Sequence, residues 1–334
     1  MGLGGLLKQK KKRKVKRGGK KQNKKNESFV IFSANAEGMK SKVLSLKSEI
    51  ISSKIAAFTL QETHFKKKGS LKIENFEVFE AIRNKQGGGT VIGVHKALAP
   101  VLIEEYSEDF ELLVVEVKIN NKEIRIITGY GPQETWPENE RMPFFQALEK
   151  EIIKAELNGK SMFIEMDSNS KLGPEIISHD PHEQSPNGKI LAGIISRHGL
   201  IVANSLKDKC KGLITRRRET INSVEESIID HVMISEDLEN EMDSIRIDEE
   251  KNNALTKIIK TKKGTKTKSS DHNPILTNFK IKWCRKVAKP RIELFNLKNK
   301  EGQLQFKHMT SSNKLLTDTV NNSNNLNTCT RKLL

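Results

Sequence analysis

Apolar residues in this chain fall into short runs that switch between two spacings. Phe29-Val30-Ile31-Phe32, Ala56-Ala57-Phe58-Thr59-Leu60, Thr90 to Val94 behind Gly87-Gly88-Gly89, and Ser161-Met162-Phe163-Ile164 are continuous runs of strand length. Leu112 to Val117 and Ile124 to Ile127 flank Asn120-Asn121, a hairpin signal. Val43, Leu46, Ile50 and Ile51 recur at helical spacing, as do Phe144, Phe145, Leu148, Ile152 and Ile153, and then Ile190, Ile194 and Ile195. Leu200 to Ala203, Ile228 to Ile234 and Ile275 to Ile281 complete the set of strands. Strands and helices intermix without strict alternation. That pattern predicts sheets packed face to face with helices outside them, in place of a doubly wound parallel sheet. No fixed-period repeat is visible.

Charge separates this middle region from the ends. The 334 residues carry 59 Lys+Arg and 42 Asp+Glu, a formal charge of +17. Residues 1–26 hold 12 basic residues and no acid, and residues 284–334 hold 10 basic and 3 acidic. Setting these aside leaves 37 basic against 39 acidic residues in 27–283, an almost neutral domain. The organisation expected is therefore a disordered basic arm (1–26), one domain (27–283), and a basic, Asn-rich tail (284–334), mostly disordered or a short helix. The run Lys10-Lys11-Lys12-Arg13-Lys14-Val15 has the form of a nuclear localisation signal. It also reads as a solvated tail that adheres to polyanions.

Several function classes drop out. No apolar run approaches the roughly 18 residues of a membrane span. The three cysteines, Cys210, Cys284 and Cys329, form neither a paired framework nor a zinc motif, so a reducing compartment is the default. His179-Asp180-Pro181-His182 lacks a third ligand, so no zinc is expected. Gly2 fails as a myristoylation site because position 6 is Leu6.

Polar residues cluster where the predicted strands end. Asn35, Glu62, Tyr130 within Gly129-Tyr130-Gly131-Pro132, Asp167-Ser168-Asn169, Asp230-His231 and Ser270-Asp271-His272 each follow or precede an apolar run. Singly, these are ordinary turn formers, strand-end aromatics or structural pairs. Together they suit one chemistry. Carboxylates hold a hard divalent ion that keeps waters for a phosphate. An Asp with an Asn two residues on orients a water and takes its proton, and a His paired with a carboxylate stabilises phosphate charge. No nucleophile elbow or P-loop is present. Metal-assisted attack of water on a phosphate ester fits best. His231, next to Asp230 in a strand, must face the other way. His64 reads as a loop residue. Arg216-Arg217-Arg218, after Thr215, reads equally as a grip on DNA phosphates and as a solvated charge run.

The six segments, in this order, resemble the endonuclease/exonuclease/phosphatase (DNase I-like) superfamily from about Phe29 to Trp283. Within it the chain most resembles the endonuclease domain of non-LTR retrotransposons. The Gly87-Gly88-Gly89 strand, Pro132-Gln133 followed by Phe144-Phe145, Gly199 to Asn204, and Arg291-Ile292-Glu293-Leu294-Phe295 carry that likeness. The resemblance implies an α+β fold, a four-layer sandwich of two mixed, mostly antiparallel β-sheets with helices on the outer faces. It implies a monomeric, Mg-dependent endonuclease (Mn also serving) that nicks DNA and leaves 3′-hydroxyl and 5′-phosphate ends. Glu62 would be the principal metal ligand, with Asn35 and Asp271 beside the metal. Asp167 would activate water, positioned by Asn169, and Tyr130 would contact the phosphate. His272, oriented by Asp230, would stabilise the pentacovalent state. Met166 departs from the pattern, since the family commonly has Gly before this aspartate, and a side chain there bears on the Asp167 loop. Non-LTR elements also carry a reverse transcriptase after this domain, for which 334 residues leave no room. The same core serves phosphatases and phosphodiesterases of small phosphorylated or lipid substrates. A nucleic-acid-binding relic without activity is the non-enzymatic alternative.

Overall fold

Continuous apolar runs bury side chains on both faces of a strand, and here that produces a sandwich of layers. The computed structural model describes residues 25–83, 87–261 and 264–285. In chain order the elements are β1 (Lys25–Asn35), α1 (Val43–Ser52), β2 (Ala57–Gln61), β3 (Phe76–Ala81), β4 (Thr90–His95), β5 (Val101–Tyr106), β6 (Glu111–Ile119), β7 (Lys122–Tyr130), α2 (Glu138–Leu157), β8 (Ser161–Asp167), α3 (Pro186–Arg197), β9 (Ile201–Val202), β10 (Cys210–Lys211), β11 (Arg216–Glu219), β12 (Val224–Ser227), β13 (Asp230–Ile234), α4 (Glu236–Glu239), β14 (Met242–Ile247), β15 (Lys257–Thr261), β16 (Gly264–Lys268) and β17 (Ile275–Arg285). One sheet has seven strands in the order β10-β14-β17-β1-β2-β4-β3, and the other has six in the order β5-β6-β7-β8-β13-β9. Both are mixed and mostly antiparallel, with parallel pairs at β1–β2, β10–β14 and β7–β8. Two hairpins, β11–β12 and β15–β16, stand apart from both sheets.

The alternation of side chains along a strand sorts the core into three layers. Phe29 and Ile31 of β1 meet Val115, Ile126 and Phe163 between the sheets. Val30 and Phe32, one residue out of phase, face α1 with Leu46 and Ile50. Leu112 and Val114 of β6 pack under α2 and α3 with Phe144, Leu148 and Leu191. The result is the expected four-layer sandwich. Ile51 and Ile153 differ from expectation. Each lies about 100° round its helix from an inward neighbour, and both are exposed.

The hairpin at Asn120-Asn121 forms as its sequence indicates. Ile119 pairs with Lys122, and Asn120 takes a left-handed φ of 56°. β1 pairs along its length with β17, and Trp283 donates its indole N–H to the Ser28 carbonyl. The basic run 10–15 and most of 1–26 and 284–334 lie outside the described residues. No helix among the described residues is long and apolar enough to cross a membrane.

Candidate functional site

Strand register aligns the polar residues. Glu111 pairs with Tyr130, Tyr130 with Asp167, and Asp167 with Asp230, so four residues from four adjacent strands form one rung. Paired residues point to the same face, here the face toward the other sheet. On that sheet Asn35 pairs with Gln61, and Glu62 follows immediately. Glu62 holds a left-handed φ of 47°, a strained backbone for a residue with a side chain, of the kind that gathers at functional sites.

The segment carrying Asp271 and His272 is fixed from the side. Arg217 N–H donates to the Asp271 carbonyl (2.9 Å), and Asn273 N–H donates to the Thr215 carbonyl (2.6 Å). The Thr215 hydroxyl oxygen accepts the backbone N–H groups of Ile229 and Asp230 at 2.9 and 3.0 Å. One buried threonine thus ties the start of β13 to the segment before β17.

His272 then lies with Nδ1 at 2.9 and 3.0 Å from the two Asp230 oxygens. Its Nε2 is 3.7 Å from Asp167 Oδ2 and 3.8 Å from Asp271 Oδ1. Asp167, Asp230 and His272 are all buried, and one ligand atom from each lies within 4.8 Å of the others. Burial alone would depress the His272 imidazole. The charges of Asp230 and Asp167 outweigh it and push the ring up to about 10. Burial lifts the Asp167 carboxyl as well, against the pull of His272. His272 thus lies between Asp230 and Asp167, whose charges favour its protonated form.

Asp167 is held from two sides. Asn35 Nδ2 donates to it at 2.9 Å and to Glu62 Oε1 at 3.1 Å, and Asn169 N–H donates to Asp167 Oδ1 at 3.2 Å. Asn169 has φ 46° and anchors its amide on the Gly131 carbonyl at 2.8 Å. At Gly131 a Cβ would sit 2.3 Å from the Ser168 carbonyl oxygen, so only glycine lets the two turns touch. Tyr130 directs its hydroxyl toward Glu62 and Asn169, and burial raises its phenol above the ordinary value.

A divalent ion is tested against these donors by their chemistry. The Glu62 side chain is 23% exposed, with Oε2 3.5 Å from His64 Nε2. Asp271 spends Oδ2 on the Arg216 guanidinium at 3.0 Å and leaves Oδ1 toward His272. The half-open Glu62 and Asp271 carboxylates fit a hard cation. Asn35 is turned the other way. Its Oδ1 accepts the Glu37 N–H at 3.0 Å, so its NH2 faces the carboxylates and orients them.

Met166 does not crowd the Asp167 loop. Its side chain joins the helix-side core, away from the site, opposite Gly129 on β7. His231 likewise turns from the site and places Nε2 2.9 Å from the Ser170 carbonyl. The arginine run is largely paired: Arg216 with Asp271, Arg217 with Glu219 and Glu226, while Arg218 stands opposite Glu225. His182 pairs with Asp180 at 2.9 Å, and His179 with the Ser178 hydroxyl.

Three supporting residues escaped the sequence reading. Glu165 is buried between the sheets, accepting from Gln61 Nε2 at 2.8 Å and from the Thr59 hydroxyl. Its signal was a carboxylate in an apolar run, two residues before Asp167 and so on the same face. Asn187 donates to the carbonyls of Pro132 (2.8 Å) and Asn169 (3.3 Å), fixing both turns. Asn204 bridges the Asp230 carbonyl and the Val232 N–H at the edge of β13. Lone asparagines carry no sequence signal for such roles.

No protein-family model and no curated protein sequence matches the chain, but solved structures match its fold. The endonuclease domain of TRAS1, a telomere-specific non-LTR retrotransposon, superposes with a TM-score of 0.53 at 19% identity, over 75% of this chain and 98% of that one. The 3′-5′ exonuclease NExo from Neisseria meningitidis gives 0.57 at 14%, over 75% and 99%. A mannosyl-6-phosphatase from Bacteroides thetaiotaomicron gives 0.53 at 13%, again over 75% and 99%. The chain has the endonuclease/exonuclease/phosphatase, or DNase I-like, fold.

Proposed function

We propose that this protein is a Mg-dependent phosphodiesterase of retroelement type that nicks DNA, leaving 3′-hydroxyl and 5′-phosphate ends. The observation that carries the reading is the convergence of Asp167, Asp230 and His272 with Glu62 and Asn35 at one edge of the sandwich. A bound Mg2+ would rest on Glu62 and Asp271 and supply Lewis acidity at a phosphate oxygen. In the Asp167–Asp230–His272 cluster the Nδ1 of His272 is engaged by Asp230, which leaves Glu62 and Asp271 the freer donors.

The remaining chemistry falls to side chains. Asp167, lifted by burial and held by Asn35 and Asn169, accepts the proton of the attacking water. Water oxygen bonds to phosphorus as the bond to the 3′-oxygen breaks, in line. His272, fixed by Asp230 through Nδ1, presents Nε2–H to the phosphoryl oxygen on which charge builds. The Tyr130 hydroxyl donates to another. DNA as substrate is supported by the basic ends of the sequence and by the TRAS1 and NExo likenesses, and the basic run 10–15 supports a nuclear setting. The mannosyl-6-phosphatase neighbour makes small phosphate esters the comparison substrates.

The test is conversion of supercoiled plasmid to open circles by the full chain, with Mg2+ and with chelator. Nicking should require the metal and fall at least about a thousandfold in Asp167→Asn and in His272→Ala. Nicking that survives in Asp167→Asn would sink the assignment.

A further inference from the structure

The hairpin β15–β16 belongs to neither sheet and adds little to any core. Residues 251–268 contain seven lysines and no carboxylate, inside a domain that is nearly neutral only when they are counted. Every residue of β16 is exposed. The register sets Lys257 directly opposite Lys268, with Ile259 opposite Lys266 on the same face. Like charges facing each other across a pair of strands are destabilising, and an isolated two-stranded hairpin is marginal already. The arginine-bearing hairpin β11–β12 is different: Arg217 and Arg218 face Glu226 and Glu225, and Arg216 pairs with Asp271. The lysine hairpin is a cationic face without such internal compensation.

Its position gives that face a use. Ser45 of α1 accepts the Thr256 N–H and donates to the Ala254 carbonyl, which tethers the base of the hairpin. Lys268 Nζ reaches 3.7 Å from Glu37 Oε1, and Glu37 is the residue whose N–H holds Asn35. Lys251, just upstream, donates to the Ser270 carbonyl beside Asp271. The fields of Lys257, Lys268 and Lys251 also converge on buried Lys42 nearby, whose ammonium is lowered to about 8, chiefly by burial.

We propose that the β15–β16 face, through Lys257, Lys266 and Lys268 with Lys251 at its base, seats the phosphate backbone of a DNA duplex alongside the phosphate being cut. This rests on the phosphodiesterase reading above and adds to it the surface that carries the polymer. Lys266 and Lys268 project from one face about 7 Å apart. Both are exposed, and among the described residues nothing encloses them, which suits a long polyanion and not a small phosphate ester. Such contacts position a duplex without reading its sequence.

The experiment measures duplex affinity against salt for the full chain, in an Asp167→Asn background that prevents cutting. Lys257→Ala, Lys266→Ala and Lys268→Ala combined should lower the slope of log affinity against log salt by about 2–3, with an affinity loss of tenfold or more near physiological salt. A charge-matched control combines Lys118→Ala, Lys280→Ala and Lys282→Ala, toward the opposite ends of their strands. It should retain the slope. Equal losses in the two variants, or none in the hairpin variant, overturn the proposal. So does a hairpin variant that loses binding to phosphatidylserine vesicles while keeping DNA. Plasmid nicking by the unmutated chain separates the two readings. A chain that nicks, with hairpin lysines that leave the slope unmoved, costs the hairpin inference alone. A chain that binds through the hairpin and never nicks costs the phosphodiesterase reading alone.

Discussion

Asn35 donates one amide to Asp167, 132 residues later in sequence, across the gap between the two sheets at 2.9 Å. The same nitrogen reaches Glu62 at 3.1 Å. One neutral side chain therefore spaces two carboxylates supplied by different sheets. Without it they would lose the one donor they share in a partly buried cleft.

Asn35→Ala should lower nicking by about 10–100-fold, the range seen when groups that orient ligands are lost. It should cost about 1–3 kcal/mol of stability, because buried acceptors lose their partner. Steady-state nicking beside urea denaturation checks both. Unchanged activity would show that Asn35 spaces nothing that matters to turnover.

Glu62→Gln should raise the Mg2+ concentration for half-maximal nicking tenfold or more. Thermal stability in chelator should change little, since the amide still accepts from Asn35. A Mg2+ titration of both proteins decides it. An unmoved midpoint would place the metal elsewhere, the Asp167–Asp230–His272 cluster being the next seat to examine.

Glu165 makes stability depend on pH. Burial pushes its carboxyl up to about 8 from 4.5, with the Thr59 and Gln61 donors opposing that rise. Between those values the folded chain holds a proton that the unfolded chain has released, so its contribution to stability falls as pH climbs through that window. Glu165→Gln removes the fall and should be the more stable protein at pH 8. Urea midpoints at about pH 5, 6.5 and 8 test this. A glutamine variant weaker at pH 8 would mean the buried anion is stabilising.

Met166→Gly introduces the glycine that the resemblance leads one to expect before Asp167 and should nevertheless harm this protein. The Met166 side chain fills the core under α2 and α3, so its loss should cost about 2–5 kcal/mol. Activity per folded molecule should hold, because Asp167 is fixed by Asn35 and Asn169. Denaturation curves and active-site-normalised rates distinguish this from improved activity at no loss of stability, which would show that Met166 does press on the loop.

The layers were legible where burial is two-sided. Phe29 to Phe32 and Leu112 to Val117 read as strands because both of their faces need apolar partners. β3, β5 and β14 were not legible. FEVFEA, VLIEEY and MDSIRI interleave charge with apolar residues and sit toward sheet margins, so the same geometry leaves a weaker trace. The polar hairpins β11–β12 and β15–β16 bury almost nothing and leave none. The polar strand ends were visible because Asn, Asp and His interrupt apolar runs abruptly. Their mutual arrangement was not, since the rung from Glu111 to Asp230 depends on register across four strands. Asn35 shows the same limit: sequence marks the residue, and only the Glu37 N–H tells which end of its amide faces the carboxylates.

The pairing of β1 with β17 joins the two ends of the described fold. A ribosome releases the first strand early, yet the neighbour that closes it is made last, some 250 residues later. Such a long-range closure is slow, and the incomplete sheet has an open edge while it waits. A transcript cut short anywhere before β17 would thus encode no weaker version of the protein. It would encode a chain whose first strand is paired with β2 on one side only and keeps its other edge open.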